Sequence, residues 1–572
     1  MLRAVMTSVC VVAAFLAASN SFAQQPGGNP RTTEKSAITG RVISSTGEPL
    51  PGASVTVAAY TPDTRSKEAT VDKDGDFKVD GLVPGLYSIY ASLPGYIAVA
   101  APNRNDSPNY YRIGDSVTLT LSKGGVITGR VTGPNGPVVG VSVLASRVRD
   151  ADGKKIPPAG GRERRTDDRG MFRIYGLSPG SYILSTSRPR LGTIVPSAYD
   201  NDVTTYYPSA TRDTAAEIVL REGDEITADI QYRGETGHAI SGKITGVIET
   251  ERPFSSSTTI TLTDVQTHLP VTSGSSFPDP SVFAIYGLAD GEYELVARQY
   301  LAARDELRSP PQRVTVRGGD VTGITLNLAP TGAIEGRLVF ESDPKDSCAK
   351  RKDTAAVETL VFARRYETEK KARDDKNPAV AISAVNYSNL AVGDARGSFT
   401  LRSLPPGPYI LEARPPASGW FLRSVTSPTK PNNTGRDGIS IKGNEHVKGL
   451  VVTLAEGASV LRGRVSAGEG KSLPAGLRIY LTPADRENAG NLYRFYETGA
   501  DGDGSFTFDN LAPGRYWVVA RRAEENDLGT VKAIRLDEAL RSKVVREAEA
   551  LKKAVTLKSC EQVANFAISF PR

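Results

Sequence analysis

Short runs of alternating apolar and polar residues, interrupted by Gly, Pro, Asp or Asn, dominate the chain. Phe77 and Val79 alternate with Lys78 and Asp80, and Tyr87, Ile89 and Ala91 resume the alternation after Pro84-Gly85. A period of two is the pattern of a half-buried strand. Val55 and Val57 follow Pro51-Gly52 in the same way, and Val141, Val143 and Ala145 follow the hairpin dipeptide Asn135-Gly136. Further strands read as Val117-Leu119-Leu121, Ile226-Ala228-Ile230, Ile324-Leu326-Leu328 and Leu450-Val452-Leu454. Many short strands with turns between them predict antiparallel β-sandwiches. One stretch differs. Leu536, Leu540, Val544 and Leu551 fall near helical spacing with mixed charge between them, which predicts a helix over 536–554, ahead of a last strand from Val563 to Phe570.

The pattern repeats. An opening strand recurs as Ile38-Thr-Gly-Arg-Val42, Ile127-Thr-Gly-Arg-Val131, Ile240-Ser-Gly-Lys-Ile244, Ile334-Glu-Gly-Arg-Leu338 and Leu461-Arg-Gly-Arg-Val465. Each is followed by an acidic turn, a strand, a Pro-Gly turn and another strand, as in residues 72–91, 166–185, 278–297, 393–412 and 500–519. The opening glycines stand at 40, 129, 242, 336 and 463, so each unit is the size of one small domain, far longer than a solenoid repeat. Each unit must bury its own core. Within a unit, Asp74-Gly75 is a turn dipeptide. Leu82 stands at the corner, where it plugs the end of the core. Pro84-Gly85 fits the central positions of a type II turn, with Gly at positive φ.

The order G-R-V, G-x-x-V-x-V, D-x-x-G-x-F and G-L-x-P-G-x-Y resembles the carboxypeptidase regulatory-like domain. That resemblance implies a transthyretin-like (prealbumin-like) sandwich, grouped with carbohydrate-binding-like folds. The expected fold is all-β: five tandem antiparallel transthyretin-like β-sandwiches over 37–124, 125–236, 237–331, 332–459 and 460–572. The fourth carries a charged insertion and the fifth a helical one. The third unit departs from the motif, with Pro280-Ser281 in place of the acidic-Gly turn and Asp290-Gly291 in place of Pro-Gly.

Residues 1–23 read as an address. Arg3 gives a positive start, Val9 to Ala18 an apolar run too short to span a bilayer, and Ser21-Phe22-Ala23 a cleavage site before Gln24. Residues 24–36 are polar, rich in Pro and Gly, and read as a flexible tail. No later stretch is apolar and long enough for a transmembrane helix, so the product is expected to be periplasmic or secreted. Export changes the cysteine arithmetic. Cys10 leaves with the signal, and Cys348 and Cys560 remain in an oxidising compartment. They either pair as a disulfide or stay as two buried thiols.

The chain has 572 residues, with 55 Gly, 37 Pro, 3 His and a net charge of +6. Such a balance over this length implies no polyanionic partner, and the charged runs 162–168 and 364–376 mix both signs, so no nucleic acid is expected. A metallocarboxypeptidase needs a His-x-x-Glu pair, which none of His238, His268 and His446 begins. No Gly-x-Ser-x-Gly elbow or phosphate loop stands between a strand and a helix. Asp72-Lys-Asp74-Gly75-Asp76 resembles the start of a calcium loop, but the twelfth position is Val83, not Glu. The expectation is therefore a turn, no cofactor, no metal and no enzyme. The best ligand candidates are aromatic loops: Tyr110 and Tyr111 behind the Tyr87 strand, Tyr206 and Tyr207 at the equivalent place in the second unit, and Tyr493 and Tyr496 before the fifth acidic turn. Rings of this kind stack on sugars. The same tyrosines would equally cover strand edges. The sequence thus predicts a non-catalytic protein with a structural or adaptor role toward an envelope or extracellular protein, or alternatively a glycan-binding one.

Overall fold

A computed structural model describes residues 37–60, 65–99, 110–156, 161–186, 190–191, 199–248, 258–267, 270–276, 279–301, 305–342, 348, 356–365, 390–428, 435–436, 438–468, 472–474, 476–525 and 531–570. The expected signal peptide and tail lie outside the described residues.

The regular structure of the described residues is almost all strand, in five tandem sandwiches numbered here in chain order. In sandwich 1 the opening strand Ile38–Ser44 lies between Asp76–Val79 and Ser116–Lys123, and Ser54–Ala59 lies between Lys67–Thr70 and Tyr87–Ser92 in the facing sheet. Sandwich 5 has the same order, with Ser459–Ser466 between Ser505–Leu511 and Gln562–Ser569, and Leu477–Pro483 between Tyr496–Gly499 and Gly514–Arg522. One pairing departs from the antiparallel expectation. In all five sandwiches the opening and closing strands run parallel. The chain passes through both sheets before it returns, so its last strand re-enters beside the first in the same direction.

Each sandwich has its own apolar cluster. In the first, Val55, Val57, Phe77, Val79 and Tyr87 are buried, as the alternation predicts. Leu82 is buried too, and Leu177, Leu288, Leu404 and Leu511 occupy the same corner in the other four.

Packing explains the repeated opening glycine. A Cβ on Gly463 would lie 2.2 Å from the Phe566 carbonyl oxygen of the parallel strand and 2.5 Å from the Phe506 ring. At Gly40 the same two neighbours are Val117 and Phe77, at 2.1 and 2.7 Å. The motif Phe fills the space that the missing side chain leaves.

The acidic turns hold themselves. One Asp72 carboxylate oxygen accepts from the amides of Asp74 and Asp76, at 2.9 and 2.8 Å. Asp167 and Asp394 do the same two and four residues on. These are Asx-type turns.

The Pro-Gly corner differs from the type II expectation. Gly85 is not at positive φ, and Gly180, Gly407 and Gly514 sit near φ +150°, not the +80° of that turn. In those three sandwiches the glycine is already the first residue of the next strand. The left-handed residue stands four positions earlier, at Gly81, Gly176, Ser403 and Asn510 (φ +68°, +69°, +58° and +57°).

The helix spans Glu538–Leu551. Its Asp537 cap accepts from the Leu540 amide at 2.7 Å. Leu540, Val544 and Ala548 pack on Tyr480, Phe495, Val519 and Ile534, so the helix adds a third layer to sandwich 5. Leu551, expected on the buried face, is exposed, and Leu536 packs against the core of sandwich 4. A strand that the sequence reading missed, Ala554–Leu557, precedes the last one.

Candidate functional site

The six tyrosines proposed as ligand groups are not brought to one surface. Tyr111 exchanges backbone hydrogen bonds with Tyr87, both at 2.9 Å, and its half-buried ring packs on the first core. Burial raises its phenol above the ordinary range. Tyr110 points the other way, out of sandwich 1. It is 6% exposed and shares a cluster with Leu86 of sandwich 1 and Leu360 and Leu390 of sandwich 4. The rest of that loop, 103–109, lies outside the described residues.

In sandwich 2, Thr205–Tyr206 pairs with Gly180–Thr186. Tyr206 is half-buried, and Tyr207, joined to Pro208 by a cis peptide, packs on the second core. In sandwich 5, Asn491 accepts from the Tyr493 amide at 3.1 Å and opens a single 3-10 turn. That turn carries Tyr493 into the core cluster of sandwich 4, where it is 2% exposed. The Tyr496 hydroxyl accepts from the Ala512 amide at 3.1 Å, and the Arg535 guanidinium lies 5.1 Å from its ring centre. Tyr110 and Tyr493 are thus joints between sandwiches.

Other polar groups serve the same end. Asp305 of sandwich 3 pairs with Arg402 of sandwich 4 at 2.8 Å. Beside them Glu306 is buried 3.7 Å from Arg298, and burial raises its carboxyl above the usual range. Glu412 of sandwich 4 lies 3.4 Å from Arg535 of sandwich 5. Glu222 of sandwich 2 accepts from the Ser45 hydroxyl of sandwich 1 at 2.6 Å. Arg190–Leu191, from a loop of sandwich 2, adds a short strand to the sheet of sandwich 3 beside Val282–Leu288. The structure joins Cys348 and Cys560 in a disulfide with Cα atoms 5.5 Å apart, linking the insertion of sandwich 4 to the connection between the last two strands of sandwich 5.

Among the described residues, two sets of contacts skip neighbours. Arg112 of sandwich 1 donates to the Pro415 carbonyl of sandwich 4 at 2.8 Å, and the Arg414 guanidinium lies 5.4 Å from the Tyr110 ring centre. Lys154 of sandwich 2 pairs with Glu525 of sandwich 5 at 2.9 Å. Sequence reasoning missed Tyr60, Leu86 and Arg414. One signal was present. Strand alternation turns Tyr87 inward and so Leu86 outward, and an apolar residue on an outer face marks a covered surface.

Among the described residues no group of three or more His, Cys, Asp or Glu is placed to hold a metal, and no helix is long and apolar enough to cross a membrane. His238 lies 3.5 Å from Asp290, while His268 is outside the described residues.

Comparison with known proteins adds one family. Residues 37–119 match the carboxypeptidase regulatory-like domain. A search of curated proteins returns no match. Among solved structures, the Bacillus anthracis TIE protein is 14% identical, with 51% of this chain and 50% of that one covered and a TM-score of 0.14. This chain spans about half the length of that protein. GBS52, the minor pilin of Streptococcus agalactiae, is 15% identical, with 34% of this chain and 94% of that one covered and a TM-score of 0.18. Two B repeat units of the collagen binding protein of Staphylococcus aureus are 10% identical, with 73% and 99% covered and a TM-score of 0.13. At these TM-scores the overlaps fall short of whole-fold agreement. The Asx turn, the buried Phe77 and Tyr87 and the family match fall together in the first sandwich, which is similar to a carboxypeptidase regulatory-like domain, and the four behind it repeat the order of its central strands.

Proposed function

We propose that this is an exported, non-catalytic adaptor of the cell envelope that binds a protein partner. The observation that carries the reading is where the reactive and aromatic side chains go. Tyr110, Tyr493, Cys348, Cys560 and Arg414 are spent holding sandwiches to one another. A scaffold whose chemistry is used internally presents shape and loop surface, and recognition on sandwiches sits in such loops. The disulfide agrees with the export expected from residues 1–23. The glycan alternative loses support, because Tyr110 and Tyr493 are covered and the other four candidates are at least half-buried.

The test has two arms. Cell fractionation with N-terminal sequencing is expected to place a chain beginning at Gln24 in the periplasm or the medium, and cross-linking there is expected to join it to an envelope protein. A glycan array is expected to show no specific binding. Specific glycan binding that Tyr206→Ala abolishes, or recovery of the uncleaved chain in the cytoplasm, overturns the reading.

A further inference from the structure

We propose that sandwich 1 carries an aromatic site for a guanidinium, formed by Tyr110 with Tyr60 against it, and that Arg414 of sandwich 4 fills it to latch the chain closed. Tyr60 and Tyr110 stand edge to face with ring centres 4.6 Å apart. The Arg414 guanidinium lies over the Tyr110 ring at 5.4 Å, inside the range of a cation–π contact. Burial works against its charge, and the face of the Tyr110 ring is what offsets that cost. One residue on, the Pro415 carbonyl accepts from Arg112, which fixes the backbone that presents Arg414. Leu86, Leu360 and Leu390 seal the contact, with Phe362 and Val392 at its margin.

The size of the contact makes it a latch and not a fused interface. Among the described residues, four buried side chains form its centre, against fourteen in the core of sandwich 1. Small interfaces between domains of one chain open readily. Sandwiches 1 and 4 are separated in the chain by two whole sandwiches, so this contact closes a ring through 1, 2, 3 and 4. The other neighbour-skipping contact, Lys154 with Glu525, is a solvent-exposed ion pair of the kind that contributes little. The closure therefore falls to the Arg414 site. A guanidinium suits it because Arg is weakly hydrated and stacks on rings. The proposal stands on these contacts whether or not the envelope adaptor reading holds.

Small-angle X-ray scattering on the full mature chain tests it. Arg414→Met keeps an apolar stem and removes the cation, and Tyr110→Ala removes the ring. Both are expected to lengthen the maximum dimension by roughly one strand length, about 30 Å. Arg414→Lys, which keeps a cation, is expected to scatter closer to the parent than Arg414→Met does. Circular dichroism separates opening from unfolding, since the opened variants should keep the parent β spectrum. If Arg414→Met scatters like the parent, the cation site is overturned. Should Tyr110→Ala stay compact with its sheet intact, the latch itself is overturned.

Discussion

The Tyr516 hydroxyl donates to the Ala512 carbonyl, four residues earlier, at 2.8 Å. The same bond recurs at the equivalent corner of every sandwich, from Tyr87 to Val83, Tyr182 to Ser178, Tyr293 to Ala289 and Tyr409 to Pro405, at 2.5 to 2.8 Å. The motif tyrosine thus does two things: its ring fills the core, and its hydroxyl satisfies a corner carbonyl that has left the sheet ladder. Tyr516→Phe keeps the ring and orphans the Ala512 carbonyl. The expected cost is about 1–2 kcal/mol, read as faster amide exchange in the strand Gly514–Arg522 with sandwiches 1 to 3 unchanged. Unchanged exchange would make the bond incidental.

The same five phenols predict an alkaline limit. Burial raises each above the ordinary range of a phenol, and Tyr409 is pushed up to about 12. Unfolded, they release protons near pH 10, while the fold holds them. Above that pH the unfolded chain binds fewer protons, so stability falls as pH rises. The contribution is complete below pH 10 and is lost as pH climbs from 10 through 12 and beyond. Phenolate absorbance followed beside circular dichroism should show these five ionising only as the sheet signal disappears. A phenolate signal that accounts for all 22 tyrosines while the sheet is still intact contradicts the prediction.

Opening glycines should resist substitution more than any turn glycine with open space. Gly463→Ala drives a methyl toward a carbonyl oxygen that cannot retreat without breaking the parallel pairing. Overpacking of this kind costs about 1–3 kcal/mol, and backbone contact puts this site at the upper end. Gly502→Ala, in the acidic turn of the same sandwich, meets nothing within 4 Å and should change stability by under about 0.5 kcal/mol. Denaturant melts of the two variants check the contrast, and equal destabilisation would remove the close-approach explanation.

At the corner the left-handed residue gives the opposite sign. Asn510 sits at φ +57° with a buried side-chain oxygen that makes no hydrogen bond. Asn510→Gly relieves both, so a gain of roughly 0.5 kcal/mol is expected, whereas Gly176→Ala at φ +69° should lose about 1 kcal/mol. Thermal melting of the pair decides it; a loss for Asn510→Gly would mean that the side chain holds the corner in another way.

Local chemistry was legible in the sequence, and contacts between sandwiches were not. The Asx turn at Asp72, the corner leucines and the inward Phe77 and Tyr87 follow from spacing, because each depends on neighbours within a few residues. The glycine of the opening strand was visible as a repeat, but its reason lies in Val117 and Phe566, which arrive from the far end of each unit. Parallel return of the closing strand is invisible for the same cause. The tyrosine loops show the limit most plainly. Tyr110 and Tyr493 had the composition of ligand loops, yet what covers them is sandwich 4, and no local pattern reports a surface some 300 residues away in the case of Tyr110.

The disulfide offers a last test, because it acts on one joint. Cys348 and Cys560 are 212 residues apart, so breaking the bridge frees a long loop of the unfolded chain. Chain-entropy reasoning puts the stabilisation at up to about 5 kcal/mol, and native strain lowers such figures. The bridge sits where sandwich 4 meets sandwich 5: the Cys560 amide donates to the Gly457 carbonyl at 3.1 Å, and the Cys348 sulfur lies 3.8 Å from the Ala458 carbonyl oxygen. Sandwiches 1 to 3 keep their cores without it. Reduction, or Cys560→Ser, should therefore lower the melting transition of sandwiches 4 and 5 and leave the others in place, splitting one broad transition into two. Peptide mapping without reductant should recover the Cys348–Cys560 pair from the exported protein. Two free thiols there, or a melt that reduction does not alter, would show that Tyr493 and the ion pairs hold the joint by themselves.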